Sequence, residues 1–220
     1  INPIKIRQLF AYLAENHEIK IVVVEINSPG GSVAASEEIY QQMKKLSAKK
    51  TVLAYLGETA ASGGYYIALP AHKIMASVPT ITGSIGVIVF DPDLSGLYEK
   101  VGVRMETYQT GRFKDIGSIN RSASTEEIGI FNAIIDDSYQ LFLDRIVEHR
   151  PLSRSEAQQL ADGRIFSGTQ AQENGLIDAV GSLDDVFSEA AQLENLTDPS
   201  ITEFSYGGAP FSGLLGMKSF

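Results

Sequence analysis

Apolar positions along the chain switch repeatedly between helical and strand spacing. Ile4, Leu9, Phe10 and Leu13 predict a helix, and the run at 19–26, interrupted only by Lys20 and Glu25, predicts a buried strand. Asn27-Ser-Pro-Gly-Gly31 is a turn. Beyond it Val33, Ser36, Ile39, Tyr40, Met43 and Leu46 mark one face of a second helix. Residues 51–56 predict another strand, followed by a Gly-rich turn and a helix over 62–69. Short strands are expected at 73–77, 85–90 and 104–108. Ser124-Thr-Glu-Glu127 has the form of a capping box, and Ile128, Phe131, Ile135, Phe142 and Ile146 continue from it as a helical stripe. Arg150-Pro151 ends that helix, because a residue before proline avoids the helical region. Helices over 155–160 and 183–193 follow. Strand and helix in alternation predict an α/β fold, a mostly parallel sheet with flanking helices.

Composition narrows the function classes. The chain has 220 residues, enough for a substantial core in one domain, expected over 1–196. From 197 to 220 the composition shifts to Gly, Ser and Pro with an apolar end, Leu214-Leu215-Gly-Met217, and a flexible tail is expected there. A formal charge of −9 argues against a nucleic-acid surface, which needs clustered cations. There is no cysteine, so neither disulfides nor thiolate chemistry can operate. The three histidines, His17, His72 and His149, are scattered, read as surface or capping residues, and make a zinc site a poor expectation. No apolar run here is long enough to cross a bilayer. Because the chain opens at Ile1 without an initiator Met, a processed or truncated product is expected, with any membrane anchor lying upstream of it.

Four Gly/Ser-rich segments stand where strands are expected to end, the edge at which open parallel sheets bind ligands. Asn27-Ser-Pro-Gly-Gly-Ser-Val33 reads as a tight turn or as a backbone cradle for developing negative charge. In Glu58-Thr-Ala-Ala-Ser-Gly-Gly-Tyr-Tyr66, Ser62 at a helix start reads first as an N-cap. It also has the small neighbours and adjacent amide, Gly63 N–H, that a nucleophile needs. Thr80-Ile-Thr-Gly-Ser-Ile-Gly-Val87 is the third segment, and Thr110-Gly-Arg-Phe-Lys-Asp-Ile-Gly117 the fourth. Lys114 alone reads as a solvated charge. A lysine becomes a general base only when its pKa, about 10.4 unperturbed, is brought down by burial.

Taken together, these segments, with Ala161-Asp-Gly-Arg-Ile-Phe-Ser-Gly168 and Gly175-Leu-Ile-Asp178, resemble the signal peptide peptidase A family of serine proteases. That family's fold is related to the crotonase and Clp protease superfamily, with repeated ββα-type units. The resemblance implies a Ser-Lys dyad: Ser62 as nucleophile, Lys114 as general base and Ser84 orienting the lysine. It implies an oxyanion hole from the N–H groups of Gly31 and Gly63, with Gly30 as the alternative to Gly31. Substrate would lie along Gly30, Ser32 and Val33 on one side and Ile85 and Gly86 on the other, paired as an added strand. The family's substrates are hydrophobic peptides such as cleaved signal peptides. The resemblance implies no metal or cofactor. It does imply a homo-oligomer with active sites near subunit interfaces, in which Lys114 serves its own or a neighbour's serine, and a catalytic domain outside the cytoplasm, membrane-associated through an N-terminal segment. Two alternatives share the fold: a crotonase-like enzyme acting on an acyl-CoA, and a non-catalytic assembly subunit. The segment at 211–217 is small and apolar enough to act as a pseudo-substrate.

Overall fold

The computed structural model describes residues 3–197 and 199–204; the 211–217 segment lies outside them. Helix α1 (Pro3–Glu15) leads into strand β1 (Ile21–Ser28), and a turn at 29–32 opens helix α2 (Val33–Ser47). Phe10 and Leu13 of α1 meet Val22, Met43, Leu46 and Val52 in one buried cluster, as their spacing predicted. Phe204 comes back onto this cluster, its ring 6.0 Å from that of Tyr12.

Strand β2 (Thr51–Ala61) organises the sheet. Along one edge it pairs in parallel with β1, from Ile21↔Thr51 to Ile26↔Leu56 and, after an irregularity, at Ser28↔Ala60. Its other edge takes β3 (Lys73–Ala76) and then β4 (Ile81–Gly83), both parallel. Residues 77–80 loop out between them. The buried hydroxyls of Thr80 and Thr82 donate to the carbonyls of Gly57 and Ala60, each at 2.6 Å, so the break leaves no orphaned polar group there. Strand β2 runs past the predicted end at 56 because Ser28 and β4 supply partners on both edges of its last residues.

The strands expected at 85–90 and 104–108 do not form. At Gly83 the ladder stops, and Ser84, with φ +49°, turns the chain away from it. Instead of a strand partner, the Ile85 carbonyl accepts from Gly163 N at 3.1 Å. Beyond this point the apolar side chains point into solvent: Ile88 is 70%, Phe90 83% and Tyr108 89% exposed. These apolar residues have no sheet to join, and helix α4 (Ser95–Lys100) is short and has no buried residue.

Helix α3 (Gly63–Ala68) is buried on every side between α2 and the sheet. Helix α5 (Thr125–His149) begins at the capping box read from the sequence, with both Ser124–Glu127 bonds made. Its stripe is buried only toward the end, at Phe142, Leu143 and Ile146, whereas Ile128 is exposed. Helix α6 (Arg154–Leu160) packs on α5. Strand β5 (Ile165–Ser167) pairs antiparallel with β4 and is followed by helix α7 (Gly168–Glu173). Strand β6 (Ala179–Val180) pairs in parallel with β3, and helix α8 (Leu183–Leu193) follows as predicted. The pattern did not predict β4, β5, β6, α4 or α7, each six residues or shorter.

Candidate active site

Strand β2 delivers Ser62 to the end of the sheet. Its backbone sits at φ +51°, ψ −121°, a conformation an L side chain rarely adopts, and its side chain makes no capping bond to α3. The cap reading of Ser62 is therefore set aside. What holds it there is pairing: Ser62 N donates to Gly83 O at 2.7 Å, while Ser62 O accepts from Tyr66 N at 2.9 Å. Strained residues persist only where their surroundings overdetermine them, and such places cluster at functional sites.

The first Gly-rich turn lies directly against this serine. Gly30 has φ +108°, and a Cβ on it would come within 2.8 Å of Gly63 N and 2.9 Å of Ser62 Cβ. A Cβ on Gly63 would run into Ser36 Oγ and come 3.2 Å from Gly31 N. Only hydrogen fits between these backbones, so the Gly31 and Gly63 amides are held close beside Ser62. A Cβ on Gly31 would meet nothing within 4 Å. Two amides beside a strand-end hydroxyl can stabilise an oxyanion formed by attack of that hydroxyl on a carbonyl. Ser32 caps α2, accepting from Ala35 N at 3.3 Å, and Val33 is exposed beside it.

Ser84 is brought to the same edge. β4 pairs with the end of β2 at Ala61↔Gly83, which places Ser84 just beyond the partner of the residue preceding Ser62. Ser84 N donates to Arg164 O at 2.8 Å. With the Gly163–Ile85 bond, this fastens 84–86 to the Ala161–Gly168 segment. Ile85 is fully buried and Gly86 lies beside Gly163.

Lys114 stands apart. It is exposed on the loop before α5, and its side chain has no hydrogen-bond or ion-pair partner among the described residues. The fourth segment is not at a strand end, because 104–108 is not a strand. The loop is nevertheless fastened. Arg121 donates from Nε and Nη2 to Asp115 at 2.9 Å each, and from Nη1 and Nη2 to Glu127 at 2.8 and 2.6 Å. Hydrogen bonds from Arg121 and from the Ser124 backbone bring the Glu127 carboxyl down to about 2.

A polar joint that the sequence reading missed ties α2, α3 and α5 behind the serine. Glu37 accepts from Tyr66 Oη, from Gln41 at 2.6 Å and from Arg145 at 2.9 Å. Partial burial would raise its carboxyl, but these donors outweigh it and hold Glu37 below the ordinary carboxylate range. Arg145 also lies 4.6 Å over the Tyr40 ring, and Tyr40 Oη meets His149 Nε2 at 2.7 Å and Glu148 at 3.1 Å. His149 is thus a half-buried member of this joint rather than a surface residue. His72 accepts from Val52 N at 3.1 Å through Nδ1, and His17 is exposed. Only the residue spacing Glu37, Tyr40, Gln41 along one helix face hinted at the joint. The Gly175–Asp178 segment is structural: Asp178 takes both Arg150 Nη groups at 3.0 Å and Ile74 N at 2.6 Å, and Leu176 O receives Tyr65 Oη at 2.7 Å.

Among the described residues no three His, Asp or Glu side chains gather as metal ligands. A cavity of about 390 Å³ opens at the opposite end of β2, by His17, Lys20, Lys49, Lys50 and His72. Its lysines are largely occupied: Lys50 donates to the carbonyls of Asn16 and Ile19 at the end of α1, and Lys49 pairs with Glu15. The cavity does not reach Ser62.

A mostly parallel α/β sheet with flanking helices is a Clp protease-like fold, and the Clp protease family profile matches residues 4–81. The profile of peptidase family S49 matches residues 44–197. The chain belongs to that family, the signal peptide peptidase A family. It is 45% identical over 86% of its length to a Synechocystis sp. protein assigned as a protease. It is 38% identical over 94% to an Enterococcus faecium protein assigned as the signal peptide peptidase SppA. It is 37% identical over 83% to the chloroplastic serine protease SPPA of Arabidopsis thaliana. The chain spans 68, 60 and 27% of the lengths of these three proteins.

Proposed function

We propose that this chain is the catalytic part of a serine endopeptidase that cuts hydrophobic peptides by a Ser-Lys dyad. Ser62 Oγ attacks the scissile carbonyl carbon as its proton passes to the Lys114 amine, and the oxyanion settles against the N–H groups of Gly31 and Gly63. Collapse breaks the peptide bond, the ammonium returns its proton to the leaving amine, and the acyl group stays on Ser62. Water gives its proton to Lys114 and attacks the ester carbonyl; the C–Oγ bond breaks, the ammonium returns the proton to Ser62 Oγ, and the acid leaves. Ser84 accepts from or donates to the lysine and orients it. The peptide runs as an added strand between Gly30–Val33 and Ile85–Gly86.

The single observation that carries this reading is Ser62 itself: a serine forced to φ +51° at a strand end, free of any capping bond, with two glycine backbones pressed against it. The crotonase-like and assembly-subunit readings give that strain no use. For Lys114 the reading invokes a second copy of the chain. Supporting this, the segment from Ile88 to Tyr108 exposes a series of large apolar side chains close in sequence to the lysine loop. Assembly through that surface would present one protomer's Lys114 to its neighbour's Ser62. Membrane association, with the domain outside the cytoplasm, belongs to the same reading; no helix among the described residues is long and apolar enough to cross a membrane.

The test is peptidase assay of the full chain on an apolar fluorogenic peptide, beside Ser62→Ala and Lys114→Ala. Each substitution is expected to lower kcat by roughly 10⁴-fold or more. Wild-type turnover in Ser62→Ala would remove the nucleophile, and in Lys114→Ala the base.

A further inference from the structure

Arg121 is a residue no motif singles out, yet it makes five side-chain hydrogen bonds. Two go to Asp115, two to Glu127 and one, from Nη1, to Ser122 O at 3.2 Å. Asp115 is the chain neighbour of Lys114. Glu127 is buried in the first turn of α5, where its carboxylate also accepts from Ser124 N at 2.8 Å. The α5 capping box is complete through Ser124 and Glu127 alone, so Arg121 is not needed to start that helix. What its fork adds is a rigid link, bidentate on both sides, from the helix end to the residue beside the lysine. A second tie, Arg112 to Glu126, flanks Lys114 on its other side, but both partners are largely exposed. Between these ties the backbone is turned by Lys114 N to Gly111 O at 3.2 Å and Ser118 N to Asp115 O at 3.0 Å. Phe131 of α5 lies under Gly117, 3.6 Å from where a Cβ would stand.

We propose that Arg121 is a positioning residue of the proteolytic reaction, locking the Lys114 loop to the first turn of α5 so that the lysine is presented at a fixed point. The inference rests on Lys114 being the base. It holds whether the serine served is the chain's own or a neighbour's, since the link lies within one chain. Asp115, Arg121 and Glu127 then act as one unit, and a misplacement of about 1 Å at the base is enough to slow chemistry roughly 100-fold.

The experiment compares Arg121→Lys, Asp115→Asn and the double variant with wild type and Lys114→Ala. Arg121→Lys keeps the charge but cannot fork, and Asp115→Asn leaves Arg121–Glu127 and the capping box intact should Arg121→Lys fold poorly. Each single variant is expected to lower kcat roughly 10- to 100-fold with KM within about twofold. The acid limb of the pH–rate profile should also be displaced, a change that loss of general stability does not produce. The double variant should be no slower than the slower single one, as members of one unit behave. Wild-type kcat with an unmoved acid limb in folded Asp115→Asn overturns the proposal, as do multiplying losses in the double variant. An active Lys114→Ala would instead remove the base assignment, so the two failures are distinguishable.

Discussion

A backbone at φ +51° is held against its own preference, and Ser62 is held there by one short bond to Gly83 and by the glycines packed against it. Gly30 and Gly31 are adjacent in sequence but differ physically. A side chain on Gly30 would have φ +108° to bear and the Gly63 amide in its way, while Gly31 opens to solvent. Gly30→Ala is expected to destabilise the fold by about 1–3 kcal/mol. Gly31→Ala should stay within about 0.5 kcal/mol of wild type. Urea denaturation of both checks this; equal losses would contradict the packing described. At this scale the sequence was legible only as a choice. It brought Ser62, Gly30, Gly31, Gly63 and Ser84 forward as small residues near strand ends. Whether a serine caps a helix or faces substrate depends on a dihedral angle, and a dihedral angle of this kind is imposed by strands elsewhere in the chain.

Helices α2, α3 and α5 meet at the joint around Glu37, Tyr66, Tyr40, Arg145 and His149, one helical turn behind Ser62. The Tyr40 hydroxyl lies 3.1 Å from Glu148 and 2.7 Å from His149 Nε2, which sets the imidazole inside the joint. Burial holds the imidazole below its ordinary pKa; Lys44, Arg145 and Arg150 reinforce this, against the pull of Glu148. The unfolded chain therefore takes up this proton at a higher pH than the folded one. The stability involved is fully present above the ordinary histidine value of 6.5 and is lost as pH falls below it. Thermal melts between about pH 5 and pH 8 should show the midpoint rising with pH, and His149→Gln should flatten that rise. An unchanged slope in the variant would show that His149 titrates as freely folded as unfolded. Long elements were read well because their periodicity spans several turns: α2, α5 and α8 lie within a few residues of where the pattern put them. The misreadings at 85–90 and 104–108 share one cause, since apolar residues in a short segment predict a strand only if a neighbouring strand is there to receive it.

At the scale of the whole molecule, the core and the site lie on the sheet, while 88–108 and the Lys114 loop form an exposed, apolar-rich region with little secondary structure. This is the part of the fold the sequence described least well, because its side chains look like core and are not buried within the chain. On the reading that a second copy covers them, Phe90→Glu and Val101→Glu should shift sedimentation toward a single protomer and lower peptidase activity in parallel. Full activity in a stable single protomer would refute assembly as a condition of catalysis. Phe90 and Val101 are 83% and 62% exposed, so neither substitution disturbs the core.

The lack of a side-chain partner for Lys114 among the described residues also bears on timing. If a neighbour supplies Lys114, as proposed, a newly made, solitary chain would hold its nucleophile without a base. On the proposed reading, activity would begin when chains become numerous enough to meet, so that the onset of cleavage is set by local abundance.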